Sequence, residues 1–403
     1  MVLAIAPVLP KWSDEFSGYL YFGLGMLGLY AGFSAPDVLG IKTRPIYFSD
    51  KAIRRTVLIL AAAGLLGSLF KIYDVVVLRS VDFQAVDAMA AREQLARASQ
   101  SNVFSLAAAA LVPLGNAALA MAFYGRATGA LRKAGTFVWL SAMMPTAIPL
   151  LLASRSALFA LLCFLVAIVL NVAPRITVRH IAIAVAGAFA ASFLFAFLLL
   201  LRVEQVGASI AYSARYSVYT YVVPLTPWAA SAIDDGGVFS RLLAAYASLM
   251  QYGLSGFFEF LLLVDLKGSD FGYGGYTASF VPKLIAIITQ GNGRVADVSY
   301  DLLNPRAGVF QSFFGPLYID FGFMLVLPCF VFGVAIAILR AGAKNGNIFA
   351  IPGYFFMLAQ LMVAMSFPSL ILNAAIITNC LFLIIYFFGR FIGSEDPSIA
   401  ERE

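Results

Sequence analysis

The chain has 403 residues, of which 62% are hydrophobic and only 12% charged, with a mean hydropathy of +0.90. Soluble domains carry about 25% charged residues, so lipid is the expected solvent and a soluble globular enzyme is excluded. The net charge of +6 does not point to nucleic acid, because most Lys and Arg fall in short connections between apolar stretches, where they orient a membrane protein.

A bilayer core requires about 20 apolar residues per helix. Met1 to Pro10 is apolar but lacks a basic start and is too short to span, so no cleavable leader is expected. Spans are expected near 17–35, 54–71, 102–123, 136–152, 157–172, 181–201, 316–339, 348–367 and 370–389. The expected fold is therefore a single all-α polytopic domain over 1–403 with about nine crossings. Between the sixth and seventh lies a long stretch, 202–315, that is polar, aromatic and punctuated by Gly and Pro. It contains two apolar patches, Leu254 to Val264 and Phe280 to Ile288, each shorter than a span. These read as amphipathic or re-entrant helices, and two additional crossings there would give eleven. Residues 83–98 read as a short amphipathic surface helix.

Basic residues mark alternate connections: Lys42, Arg44, Lys51, Arg54 and Arg55, then Arg126, Arg132 and Lys133, then Arg175 and Arg179, then Arg340 and Lys344. The positive-inside rule puts these in the cytoplasm. The amino terminus, the turn at Ser154-Arg155-Ser156 and the 202–315 loop are then expected outside. Cys163, Cys329 and Cys380 all lie in apolar spans without metal-ligand spacing, so neither a disulfide framework nor a metal site is expected.

Chemistry is therefore sought in the outer loops. Their arginines are informative because they oppose the orientation bias, and a guanidinium grips phosphate oxygens through paired hydrogen bonds. Arg155, Arg215, Arg241 and Arg306 are the candidates for a lipid-linked pyrophosphate, although each taken singly is also compatible with a headgroup-facing side chain. Among outer acids, Glu259 lies in the apolar run Phe257-Phe258-Glu259-Phe260-Leu261, where desolvation favours the protonated form and suits a carboxyl to proton transfer. Asp235 and Asp320 stand behind it as catalytic candidates, Asp320 also reading as a helix cap. Tyr219, Trp228, Tyr273 and Tyr276 are candidate sugar-stacking surfaces, the last two within the glycine-rich run Phe271-Gly272-Tyr273-Gly274-Gly275-Tyr276. An interfacial aromatic belt is the competing reading for such residues. The one histidine, His180, falls at the opposite face.

Three elements carry a resemblance: Ser154-Arg155-Ser156-Ala157-Leu158 opening a span, Gly308-Val309-Phe310 closing the long loop, and Tyr318-Ile319-Asp320-Phe321-Gly322 opening the next span. With the overall pattern of spans, they resemble the bacterial oligosaccharide repeat-unit polymerases of O-antigen and exopolysaccharide synthesis. The resemblance implies a membrane glycosyltransferase similar in fold to the GT-C type, working without nucleotide, metal or other cofactor. It further implies an undecaprenyl-pyrophosphate-linked oligosaccharide as substrate, membrane lipid as surroundings and a chain-length regulator as partner. The related O-antigen ligases are expected to carry a histidine in the large outer loop, which this chain lacks. A transporter or flippase would predict charged residues along several spans and an internal repeat, and neither is evident.

Overall fold

The computed structural model describes residues 6–40, 45–80, 102–129, 131, 135–151, 155–172, 177–205, 209–266, 270–278, 281, 304–306, 309, 311–366 and 374–392. The expected surface helix at 83–98 and nearly all of the apolar patch at 280–288 lie outside these residues. Among the described residues the fold is helical, and Val8 and Leu225 form an isolated antiparallel bridge. The helices are α1 (Phe16–Val38), α2 (Asp50–Tyr73), α3 (Val103–Ala127), α4 (Thr136–Leu151), α5 (Arg155–Val172), α6 (Val178–Gln205), α7 (Ile210–Arg215), α8 (Pro227–Asp234), α9 (Gly237–Leu266), α10 (Phe314–Phe321), α11 (Val326–Lys344), α12 (Ala350–Met362) and α13 (Ala374–Ile392).

Helix starts follow local chemistry. Ser49 caps α2 by accepting from the Ala52 amide at 3.2 Å. Asn102 and Ser105 form a reciprocal capping box at α3, the Asn102 side chain accepting from Ser105 N at 2.8 Å and Ser105 Oγ accepting from Asn102 N at 3.0 Å.

Packing between the long helices relies on small residues, as expected where lipid removes the hydrophobic drive and close van der Waals approach takes over. A Cβ on Gly32 of α1 would lie 2.0 Å from the Phe330 carbonyl of α11, and one on Gly333 would lie 2.3 Å from the Leu29 carbonyl. In the same way Gly64 of α2 sits against Gly115 of α3 and Ser141 of α4, whose hydroxyl donates to the Ala61 carbonyl at 2.8 Å. Large apolar side chains such as Phe16, Ile59 and Phe391 point outward instead, the arrangement a lipid solvent favours.

Four described helical stretches are long and apolar enough to cross a membrane by length and composition: Asp50–Leu78, Val103–Ala127, Gly237–Leu266 and Phe314–Lys344. The chain is accordingly an all-α protein of membrane-associated character. One expectation is corrected here. The patch at Leu254 to Val264 is not a short helix but the second half of the 30-residue α9. Polar residues interrupt the apolar run along this helix without ending it, because neighbouring segments satisfy them. Ser240 Oγ donates to the Ile233 carbonyl, and Gln251 Nε2 donates to the Val223 carbonyl at 3.1 Å. The span expected at 316–339 falls within Phe314–Lys344, where a 3-10 turn at Gly322–Leu325, opening on Gly322 at φ +55°, divides α10 from α11.

The two ends of the bundle differ. At one, the Ile46 amide donates to the Asn345 carbonyl at 3.1 Å and Phe48 meets Phe349 with ring centroids 5.1 Å apart, while Ile53 lies by Gly125. The basic residues Lys51, Arg54, Arg55, Arg126, Arg340 and Lys344 therefore gather there. The start of α1 marks the other end, where Ser13 Oγ donates to Asp265 at 2.7 Å and Tyr21 packs on Tyr318. The candidate site lies at that second end.

Candidate functional site

The site begins with an acid in an apolar helix. Glu259 sits on α9 among Phe257, Phe258 and Phe260, with rings from α1 and the segment before it closing over them: Trp12 on Phe258 at 5.0 Å and Phe22 on Phe257 at 5.0 Å. Its side chain is 2% exposed. A carboxylate so placed requires a countercharge, and a distant turn supplies it.

That turn is Asn304-Pro305-Arg306. Asn304 Oδ1 accepts from Arg306 N at 3.0 Å, an Asx turn, and also from Gln311 Nε2 at 2.9 Å. The turn aims the Arg306 guanidinium inward. Its Nη1 lies 3.2 Å from Glu259 Oε1, its Nη2 donates to the Val218 carbonyl at 2.8 Å, and its Cζ lies over the Tyr221 ring, 4.4 Å from the centroid. Val218 and Tyr221 belong to a 3-10 turn. An amino-terminal ribbon holds the residues that follow it: Leu9 N donates to Pro224 O at 2.8 Å, Lys11 N to Val222 O at 2.9 Å and Thr226 N to Pro7 O at 3.0 Å. The ribbon also brings Lys11 Nζ to 4.9 Å from the Tyr221 centroid.

A second assembly adjoins the first. Asp320, fully buried near the end of α10, accepts from Tyr276 N at 2.9 Å, Thr277 N at 2.8 Å and Thr277 Oγ1 at 2.6 Å. Backbone bonds run alongside, with Gly272 N donating to Ile319 O at 3.1 Å and Tyr273 N to Asp320 O at 3.0 Å. The carboxylate thus clamps the glycine-aromatic loop and does not cap a helix start. Gly322 is required where it stands, since a Cβ there would lie 2.7 Å from the Phe271 ring. Within the loop Tyr273 adopts φ +49°, uncommon for a residue with a side chain, and is 86% exposed. Asn304 Nδ2 donates to the Tyr276 hydroxyl at 3.3 Å and so joins the two assemblies.

The structure brings together Glu259, Arg306, Asp320 and Tyr276 from the residues expected in the sequence. Others stand apart. Arg215 pairs with Asp234, and also donates to the Ala230 carbonyl at 3.3 Å. Its neighbour Ala214 faces Gln251, two turns or about 12 Å along α9 from Glu259. Arg241 is exposed near the start of α9, about 27 Å along the helix from Glu259. Asp235 is exposed at the end of α8, as is Trp228 at its start. Tyr219 packs edge-on against Tyr252 at 5.6 Å. Arg155 opens α5, and its side chain, like that of His180, lies outside the described residues.

Sequence reasoning singled out none of Asn304, Gln311, Thr277, Tyr221 and Lys11 as a site residue. The Asn-Pro dipeptide at 304–305 is a legible turn signal, whereas the other four carry no local signature. No family model, curated protein or solved structure matches the chain.

Proposed function

We propose that the chain polymerises undecaprenyl-pyrophosphate-linked oligosaccharide repeat units at the periplasmic face of the inner membrane, transferring the growing glycan onto a new lipid-linked unit. The observation that carries this reading is the buried Glu259, faced by Arg306, at the end of the bundle opposite the gathered basic residues. In the proposed step the acceptor sugar hydroxyl attacks the anomeric carbon of the growing chain. A new glycosidic bond forms, the bond to pyrophosphate breaks with its electron pair leaving on the pyrophosphate oxygen, and Glu259 takes the hydroxyl proton. Arg155 and Arg215 are the cations proposed to stabilise the departing pyrophosphate, whereas Arg241, about 27 Å along α9 from Glu259, is too distant to share the step, and the exposed Tyr273 and Trp228 are proposed to receive sugar rings.

The geometry of α9 favours nine crossings over eleven in this scheme. If α6 ends outside, the segment that leads into α9 is outside, and the far end of α9 is tied through Asp265 to Ser13, just ahead of α1. With the amino terminus outside, both ends of α9 lie on the periplasmic side, and the helix adds no net crossing.

The test is polymerisation by the purified full chain supplied only with lipid-linked repeat units. Polymer is expected in the presence of a chelator and without nucleotide sugar, and a strict requirement for either a divalent metal or a nucleotide sugar would overturn the scheme. Arg155→Ala or Arg215→Ala is expected to lower the rate roughly a hundredfold to a thousandfold, the usual cost of one lost transition-state donor. Asp234→Ala is the control for Arg215. If it reproduces the loss, Arg215 acts through its ion pair and not on the pyrophosphate.

A further inference from the structure

Glu259 Oε1 and Arg306 Nη1 stand 3.2 Å apart, yet neither makes a hydrogen bond among the described residues. The charges attract, but the N–H is not aligned on the oxygen. A buried acceptor and a buried donor are thus left side by side, each without a hydrogen-bond partner. Buried polar atoms without partners are rare because each loses the hydration it had in water.

From this pair we infer a hydroxyl-binding subsite, and we assign Arg306 to it in place of the pyrophosphate cradle. A hydroxyl donates once and accepts twice, so a single oxygen can accept from Nη1 while giving its proton to Oε1. A phosphate oxygen only accepts. Placed here it would bring a second negative group against a carboxylate that is 2% exposed, with one guanidinium to serve both. Arg306 is also committed elsewhere: Nη2 is held by the Val218 carbonyl while Nη1 faces Glu259, so its two terminal nitrogens are not jointly available to fork a phosphate. The Asx turn at Asn304 and the Tyr221 ring fix the guanidinium in this pose. The ligand class is therefore a neutral polyol or glycoside. That the hydroxyl is the nucleophile of the acceptor glycan rests on the reading proposed above. In that step the hydroxyl proton passes to Oε1 while its oxygen, oriented by Nη1, bonds the anomeric carbon.

The experiment measures affinity and not turnover. The full chain in lipid nanodiscs is titrated with a panel of methyl glycosides of common bacterial sugars and, separately, with inorganic pyrophosphate, for the wild type, Glu259→Gln and Arg306→Gln. Arg306→Lys is added because it keeps the buried charge paired if Arg306→Gln fails to fold. At least one glycoside is expected to bind the wild type, with affinity falling about tenfold in Glu259→Gln as a charge-assisted bond becomes a neutral one. Pyrophosphate affinity is expected to stay unchanged in every variant. The assignment is overturned if no glycoside binds, if glycoside binding ignores Glu259→Gln, or if pyrophosphate affinity drops tenfold in an Arg306 variant. Its failure is separable from that of the proposed function. Glycoside binding that depends on the pair, in a protein that makes no polymer, keeps the subsite and removes the polymerase. Polymer made by a protein whose pyrophosphate affinity depends on Arg306 does the reverse.

Discussion

Asp320→Ala separates a carboxylate that holds structure from one that performs chemistry. The wild-type side chain accepts from two backbone amides, Tyr276 N and Thr277 N, and from the Thr277 hydroxyl, in a position with no exposure to solvent. Alanine leaves the donors without acceptors, and an unsatisfied buried donor costs about 1–3 kcal/mol. The Thr277 hydroxyl can turn to other acceptors, such as the Gly274 carbonyl 3.4 Å away, so the two amides dominate. Allowing for partial relaxation, roughly 2–3 kcal/mol should be lost from the closed loop, or about a 30- to 160-fold rise in its opening equilibrium. Hydrogen exchange on the full chain in detergent reads this directly as faster exchange of the amides at 272–277. The fold should survive, because the long helices are held at contacts remote from this loop. Unchanged exchange in Asp320→Ala would refute the clamp, and loss of polymer at wild-type exchange rates would return Asp320 to the catalytic candidates.

Two further outcomes are expected. Gly32→Ala places a methyl carbon 2.0 Å from the Phe330 carbonyl and should destabilise the contact of α1 with α11 by about 1–3 kcal/mol, as overpacking commonly does. It is checked by thermal unfolding in detergent, with Gly23→Ala, which meets no atom within 4 Å, as the silent control. Reporter fusions at Gly129 and Asn345 should read cytoplasm and those at Gln84 and Gly236 periplasm, and a cytoplasmic signal at Gly236 would invert the start of α9 and remove its outer placement.

The legible part of this protein was the part governed by local composition. Few charges and long apolar stretches specify a helical membrane protein, because each segment chooses its solvent largely independently of the others. The run Phe257 to Leu261 similarly announced a desolvated Glu259, since an acid inside so apolar a helical stretch is carried into whatever core that stretch packs against. The glycine-aromatic run announced a tight loop, and Gly274 does take a positive φ. The true extent of α9 was hidden because its polar residues are satisfied from outside the helix, where a hydropathy window cannot see. Partner choice was hidden for the same reason. Arg306 reaches a carbonyl 88 positions away while facing Glu259, and Asp320 serves amides 44 and 43 positions away. Three outer arginines of the long loop, Arg215, Arg241 and Arg306, looked alike in the sequence. Tertiary packing set Arg306 beside a buried acid and Arg215 beside Asp234, while Arg241 lies near the start of α9, well away from both. An ion pair is decided by which charges the folded backbone brings within a few ångströms, and composition along the chain carries no information about that distance.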